Sequence, residues 1–254
     1  MAKEEKVTIR KIQAAKSKHQ KVSALTAYDY PLAGLLDECG IDIILIGDSL
    51  GNVMLGYRNT LPVTMTEMVI HTQAVSRAVK HALVVADMPF GSYQSDPQLA
   101  VSNAVDLVKA GAEAVKIEGA EYLEAIRKIN KAGIPVMGHL GFTPQSVNKI
   151  GTRVWGLGTR ERGRLLKDAK ALEKAGCFAI VLEMVEPKLA QKIKKAVKIP
   201  VIGIGSGENL DGQILVTYDL LGLYPHPPKF VKPYIDLSSQ IRRAVKSFIA
   251  DSLR

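Results

Sequence analysis

The amino-acid sequence predicts an α/β protein: a (β/α)₈ barrel of the TIM type, with parallel strands, outer helices and extra terminal helices. Three observations carry this expectation. Eight short runs rich in Val, Ile, Leu and Ala recur along the 254 residues; amphipathic stretches separate them; and a helix-ending Ala-Gly turn precedes three of the runs. Parallel strands are covered on both faces, so they read as nearly continuous apolar runs rather than alternating ones. Strands that alternate with helices build a parallel sheet, and a count of eight favours closing it into a barrel over a doubly wound sheet.

Taken in order, the runs are KVSALTAYD (21 to 29), DIILIGDS (42 to 49), ALVVADMP (82 to 89), AVKIEG (114 to 119), PVMGHLG (135 to 141), CFAIVLEM (177 to 184), PVIGIGSG (200 to 207) and QILVTYDLL (213 to 221). The phrases VKAGAEAVKIEG, NKAGIPVMGHLG and EKAGCFAIVLE repeat one pattern, in which the glycine after Ala stops a helix and the next strand follows at once. Residues 142 to 160 are polar and glycine-bearing, which suits either a mobile loop over a site or a plain surface excursion. The proline-rich stretch 222 to 234 should run irregularly before an amphipathic last helix, IDLSSQIRRAVKSFIADSLR. Neither segment reads as a separate unit, so residues 1 to 254 are expected to form one barrel domain.

Composition narrows the function. With 47% hydrophobic and 23% charged residues, the chain can bury one large core. No apolar run is long enough to span a bilayer and the charged start lacks a signal-peptide core, so a cytoplasmic protein without a membrane role is expected. The net charge of +9 is spread over helical stretches such as KLAQKIKKAVK at 188 to 198, without interleaved aromatics, which argues against nucleic acid. A solvated basic surface attractive to small anions accounts for it. Cys39 and Cys177 have no partner at metal or disulfide spacing and read as small buried fillers.

The strand ends carry the chemistry. They supply Asp29, Asp48 with Ser49, Asp87, Glu118 after Lys116, His139 and Glu183. A carboxylate in such apolar surroundings must be paired, hydrogen-bonded or metal-bound to offset its lost hydration. One such acid is better read as a barrel ion pair, but five acids converging on the carboxyl ends of the strands point to an active site. Carboxylates with one His and no thiolate make a hard, oxygen-rich set that suits Mg²⁺ or a similar cation more than zinc. Lys116 and Glu118, two apart on one strand, share a face, taken here as the inward one. Lys116 is then either a site for a substrate carboxylate or a Schiff-base lysine. The glycine run GIGSG (203 to 207) is either a phosphate-binding turn or a tight turn for close packing. His71, His81 and His226 read as helix or loop residues, and Trp155 as part of the 142 to 160 loop.

At these same residues the sequence resembles the ketopantoate hydroxymethyltransferase family. The matching phrases are TAYDYPLA (26 to 33), IGDSLGNVMLG (46 to 56), TLPVT (60 to 64), ADMPFGSY (86 to 93), VKIEG (115 to 119), GHLGFTPQSVN (138 to 148), VLE (181 to 183), PVIGIGSG (200 to 207) and DGQILV (211 to 216), which run in order over nearly the whole chain. The resemblance implies hydroxymethyl transfer from 5,10-methylenetetrahydrofolate to 3-methyl-2-oxobutanoate, giving 2-dehydropantoate on the way to pantothenate and coenzyme A. It implies Mg²⁺ as cofactor and a large homo-oligomer, for which a decamer is one expected size. By motif, Asp48 and Asp87 would be metal ligands with Glu118 in the coordination sphere, and Ser49 and Lys116 would bind the keto acid close to Asp48 and Asp87. His139 would line the site, and Glu183 would be the catalytic proton acceptor, partly desolvated for that task. Family members often have Ala at the position of Ser206, a small difference. Asp29 is left without a role. The nearest rival is a Mg²⁺-dependent carbon–carbon lyase or mutase of the phosphoenolpyruvate mutase and isocitrate lyase type, which would need a catalytic cysteine in a setting that neither Cys39 nor Cys177 has. A Schiff-base aldolase using Lys116 and a non-catalytic binding barrel are two further rivals.

Overall fold

The computed structural model describes residues 5–225 and 227–253; His226 lies outside them. Eight parallel strands close into a barrel in simple sequence order. They are β1 (Val22–Thr26), β2 (Ile43–Ile46), β3 (Leu83–Asp87), β4 (Ala114–Glu118), β5 (Val136–Gly141), β6 (Ala179–Glu183), β7 (Val201–Ile204) and β8 (Gly212–Leu215). Each lies inside the run expected for it, except that β8 begins one residue early and ends at Leu215. The TYDL of that run instead forms a short helix. An apolar run alone does not separate a strand from a buried helix turn.

The helices are α1 (Ile9–Ser17), α2 (Tyr30–Glu38), α3 (Leu50–Val53), α4 (Met65–Ala78), α5 (Pro97–Lys109), α6 (Leu123–Lys131), α7 (Val147–Ile150), α8 (Thr159–Lys174), α9 (Pro187–Ala196), α10 (Thr217–Leu220) and α11 (Leu237–Ser252). Their ends follow the expected local chemistry. Thr64 and Glu67 form a reciprocal capping box at the start of α4. Gly111, Gly133 and Gly176, the glycines of the repeated phrase, all take positive φ after α5, α6 and α8, a conformation only glycine adopts without penalty. Between β5 and α8 the chain is not plain loop: a 3₁₀ turn (Pro144–Ser146) leads into α7, and Trp155 pairs in parallel fashion with Val185.

The chain divides into two compact units, Met1–Ile214 and Leu215–Arg254. In the first, the barrel interior is filled by alternate residues of successive strands: Val22 and Ala24, Ile43 and Leu45, Leu83 and Val85, Ala114, Met137, Ala179 and Val181, Ile202. Val7, Ile12 and Ala15 belong to the same cluster, so α1 and the residue leading to it close the barrel at the amino ends of the strands. The sequence predicts terminal helices in general but assigns residues only to the last one, so this helix is an expected kind of element whose place the structure supplies. In the second unit, α11 is amphipathic and has no buried residue. No helix among the described residues is long and apolar enough to cross a membrane.

Candidate active site

Side chains of a strand alternate between faces, so the inward positions of each strand continue the list of core residues two at a time. Above Val85 comes Asp87; above Ala114 come Lys116 and Glu118; above Met137 comes His139; above Val181 comes Glu183. The interior therefore changes from apolar to ionisable in one step toward the carboxyl ends, where barrel enzymes place their sites. The register brings these residues side by side, pairing Asp87 with Lys116, Glu118 with His139, and Gly141 with Glu183. Lys116 and Glu118 point inward as expected, and both are buried. Asp48 joins them from the turn after β2, its backbone N–H donating to Asp87 Oδ2 at 3.0 Å. A Cβ at Gly47 would lie 2.7 Å from Ser49 Oγ and 3.6 Å from Asp87 Oδ2, so a side chain there would make the Ser49 hydroxyl turn away from its present position.

The ion pairs form one connected group. Lys116 Nζ lies 2.7 Å from Asp87 Oδ1. His139 stands between two carboxylates, Nδ1 at 3.3 Å from Glu118 Oε1 and Nε2 at 3.2 Å from Glu183 Oε2. Burial, followed by repulsion from Asp87 and Glu118, holds the Asp48 carboxyl well above its usual range. Burial also raises Asp87, although Lys116 opposes it. For Glu118 burial is outweighed by His139 and Lys116, which hold it below its usual range. Burial opposes charge on Lys116 too, but Asp87, Glu118 and Asp48 together raise its pKa, so the ammonium form is held. Burial and Lys116 push the His139 ring down while Glu118 and Glu183 push it up further, to about 9. His139 Nδ1 is also 3.4 Å from Lys116 Nζ, a contact that repels once the ring is protonated.

Glu183 is the most open member, its side chain 17% exposed. Its strand end is built with care. Gly141 has φ +98, and a Cβ there would come within 2.2 Å of the Glu183 carbonyl oxygen. Met184, next in the chain, is one of two non-glycine residues with positive φ among those described, and such strained backbone concentrates at functional sites. Ser49 Oγ lies 2.8 Å from the buried Tyr28 hydroxyl at the edge of the group. A cavity of about 710 Å³ opens beside it, lined by Glu118, Tyr122, Leu140, Gln145, Lys149 and Trp155 among others. The 142 to 160 segment thus stands over the site and is not a plain surface excursion.

Other expectations were resolved differently. Asp29 is not in the group: it caps α2, its side chain accepting from Leu32 N–H at 2.9 Å. In GIGSG the tight-turn reading stands, since Ser206 Oγ accepts from Val185 N–H and donates to the Leu182 carbonyl, while Gly207 packs against Pro187. Cys177 is a buried filler, whereas Cys39 is exposed and is not one. His71 sits on α4, with Nδ1 2.6 Å from the Tyr28 carbonyl. Two residues that sequence reasoning missed are Gln145 and Tyr93. They carry no charge, so only their place inside the phrases GHLGFTPQSVN and ADMPFGSY marked them.

A hard divalent cation suits this donor set. Asp48, Asp87 and Glu118 are buried oxygen donors that repel one another, and Glu118 Oε1 has no well-aligned hydrogen-bond partner. They are not a finished chelate: among the described residues no three His, Cys, Asp or Glu side chains are already gathered at ligating distance. Each carboxylate is instead held by Lys116, Gln145 or His139.

An ionisable group held at the carboxyl ends of a closed eight-stranded parallel barrel, beside a cavity, defines a barrel enzyme. Comparison with known proteins refines this. A family model described as ketopantoate hydroxymethyltransferase matches residues 6–253. A 3-methyl-2-oxobutanoate hydroxymethyltransferase of Geobacter metallireducens is 54% identical over 97% of this chain and 94% of its own, and one of Caldivirga maquilingensis is 52% identical over 96% and 92%. The chain belongs to the ketopantoate hydroxymethyltransferase family, and so to the hydroxymethyl-transferring enzymes. Among solved structures, a putative phosphonomutase from Burkholderia cenocepacia J2315 superposes with a TM-score of 0.67 at 14% identity, covering 96% of this chain and 100% of that one. A 2,3-dimethylmalate lyase of the PEP mutase/isocitrate lyase superfamily gives 0.63 at 14%, over 96% and 88%. These two share the fold.

Proposed function

We propose that the site transfers a hydroxymethyl group from 5,10-methylenetetrahydrofolate to 3-methyl-2-oxobutanoate with Mg²⁺, a step toward pantothenate and coenzyme A. The observation that carries this is the placement of Glu183, a partly open carboxylate at the mouth, beside a buried Asp48–Asp87–Glu118–Lys116 group able to take an anionic keto acid. Asp48 and Asp87, with Glu118, would hold the cation. When bound, a divalent cation polarises a 2-oxo acid and spreads the negative charge created by loss of a proton next to the keto group.

The rest is done by the chain. The Lys116 ammonium, already beside Asp87, neutralises the substrate carboxylate, and Ser49 at the edge adds a hydroxyl contact. Glu183 accepts the C3 proton, with His139 Nε2 3.2 Å away as an ion-pair partner that is not a well-aligned hydrogen bond. Overall, the C3 electron pair forms the new carbon–carbon bond to the donor's methylene carbon, both bonds from that carbon to nitrogen break, water supplies the hydroxyl, and the two freed nitrogens end with the C3 proton passed on by Glu183 and one proton of that water. The cavity beside Glu118, about 710 Å³, is of a size that holds such a donor. Lys116 is held in its ammonium form, which disfavours the Schiff-base alternative. A lyase chemistry based on cysteine finds no thiol at the mouth: Cys39 ends α2 and Cys177 precedes β6, both on the side of the strands' amino ends. Homo-oligomerisation is supported by the exposed apolar face of Ile241, Val245, Phe248 and Ile249 on α11, and light scattering measures its size.

The test follows the C3 proton of 3-methyl-2-oxobutanoate by NMR in D₂O. The wild-type protein should exchange it with Mg²⁺ and not in EDTA. Glu183→Gln should bind keto acid and Mg²⁺ yet exchange at least ~10²-fold more slowly. Unchanged exchange in that variant removes Glu183 as the base. Borohydride trapping of the keto acid on Lys116 would favour the Schiff-base mechanism instead.

A further inference from the structure

Gln145 is uncharged, yet it is the most connected polar side chain in the site. It is 5% exposed and lies in the 3₁₀ turn Pro144–Ser146 after β5. Its Nε2 donates to Asp48 Oδ2 at 2.8 Å and to the Met88 carbonyl at 2.9 Å. Its Oε1 accepts from the Tyr93 hydroxyl at 2.7 Å and from Gln94 Nε2 at 3.0 Å. Its backbone N–H donates to Glu118 Oε2 at 3.0 Å. Tyr93, itself buried, closes the circuit by accepting from the Glu118 N–H at 3.2 Å.

This pattern has a direction. An amide oxygen that accepts two hydrogen bonds fixes which end of the side chain is the amide nitrogen, so Gln145 presents a donor to Asp48 and cannot flip without losing Tyr93 and Gln94. One residue therefore holds one oxygen of Asp48 by its side chain and one oxygen of Glu118 by its backbone. It leaves Glu118 Oε1 without a well-aligned partner. Outer partners of this kind set the orientation of carboxylate ligands, and their loss lowers metal affinity. Gln145 also belongs to the lining of the cavity beside the site, so the connection that walls the cavity is fastened to the cation's ligands through it.

We propose that Gln145 is a positioning residue, which orients Asp48 and Glu118 for the divalent cation and is itself oriented by Tyr93. The inference rests on the reading that Asp48 and Glu118 hold that cation.

The test is Mn²⁺ binding followed by electron paramagnetic resonance on the purified full-length protein, together with Mg²⁺ dependence of turnover. Gln145→Met keeps the volume and the backbone N–H to Glu118 but removes the amide from Asp48. It should raise the Mn²⁺ dissociation constant by about 10–100-fold, with saturating cation restoring most of the turnover. A role confined to packing would lower the melting temperature and leave Mn²⁺ affinity unchanged, and that result overturns the proposal. Tyr93→Phe, a gentler change, decides the matter where Gln145→Met does not fold: weaker Mn²⁺ binding supports the proposal and wild-type affinity overturns it. Asp48→Asn is the control for the underlying reading. If the wild-type protein binds no Mn²⁺, or Asp48→Asn binds it normally, the ligand assignment falls and takes this role of Gln145 with it. If Asp48→Asn loses binding while Gln145→Met and Tyr93→Phe keep it, only the role of Gln145 falls.

Discussion

Lys116 is 5% exposed and pairs with Asp87 at 2.7 Å, with Asp48 and Glu118 also acting on it. Taking several charges out of water is costly, and removing one partner of a buried pair leaves the other without compensation. Lys116→Met should therefore destabilise the protein by about 3–5 kcal/mol in EDTA. On the proposed reading a divalent cation would replace the missing positive charge, so the loss should shrink on adding Mg²⁺. Thermal denaturation with and without Mg²⁺ measures this, and an equal loss in both conditions would count against the shared-site picture. Asp37 shows why burial alone does not mark a catalytic acid. Burial raises its pKa, but the backbone N–H groups of Ala82, Lys80 and His81 outweigh that and hold it below the usual range, so its work is to bind the turn before β3.

At the scale of single elements, short polar side chains decide where helices begin. Asp29, Thr64, Asp96 and Asp236 each cap a helix with a side-chain oxygen. In α10, by contrast, Asp219 is 4% exposed and Oδ1 has no hydrogen-bond partner. Burial pushes its pKa up to about 6. Between the ordinary carboxylate range and about 6, the unfolded chain loses this proton while the folded one keeps it. Folding stability from this group is thus full at low pH and is lost as pH rises through about 6. Asp219→Asn should stabilise the protein by on the order of 1 kcal/mol at pH ~8, and by less at pH ~4.5. Melting temperatures at the two pH values check it, and an equal gain at both would show that charge is not the cause.

Across the molecule, the barrel interior is layered: an apolar layer is sealed below by α1, and an ionisable layer lies above it at the mouth. Ile12 is 1% exposed and sits in the lower layer. Ile12→Ala should cost about 2–5 kcal/mol through lost burial and a cavity. Its effect on proton exchange at temperatures well below melting should be small, because the change lies in the layer away from the mouth. Loss of exchange in a folded Ile12→Ala protein would show that the two layers are coupled.

The closed barrel was legible along the chain, where the strand count favoured it over a doubly wound sheet. Apolar runs, glycine helix stops and strand count are local signals: seven of the eight expected runs enclose their strand, and the eighth gives way partly to α10. The charged site residues were also legible, because an acid at the end of an apolar strand is conspicuous and an inward spacing of two is fixed by the pleat. The tertiary structure decided the rest. It turned Asp29 into a helix cap, placed Cys39 at the surface, gave Ser206 to packing, and showed that the first helix closes the barrel floor. It alone revealed Gln145 and Tyr93, whose importance lies in hydrogen bonds to residues 25 to 97 positions away. Patterns with a period are written locally in a chain, whereas a neutral amide becomes informative only when folding brings its partners to it.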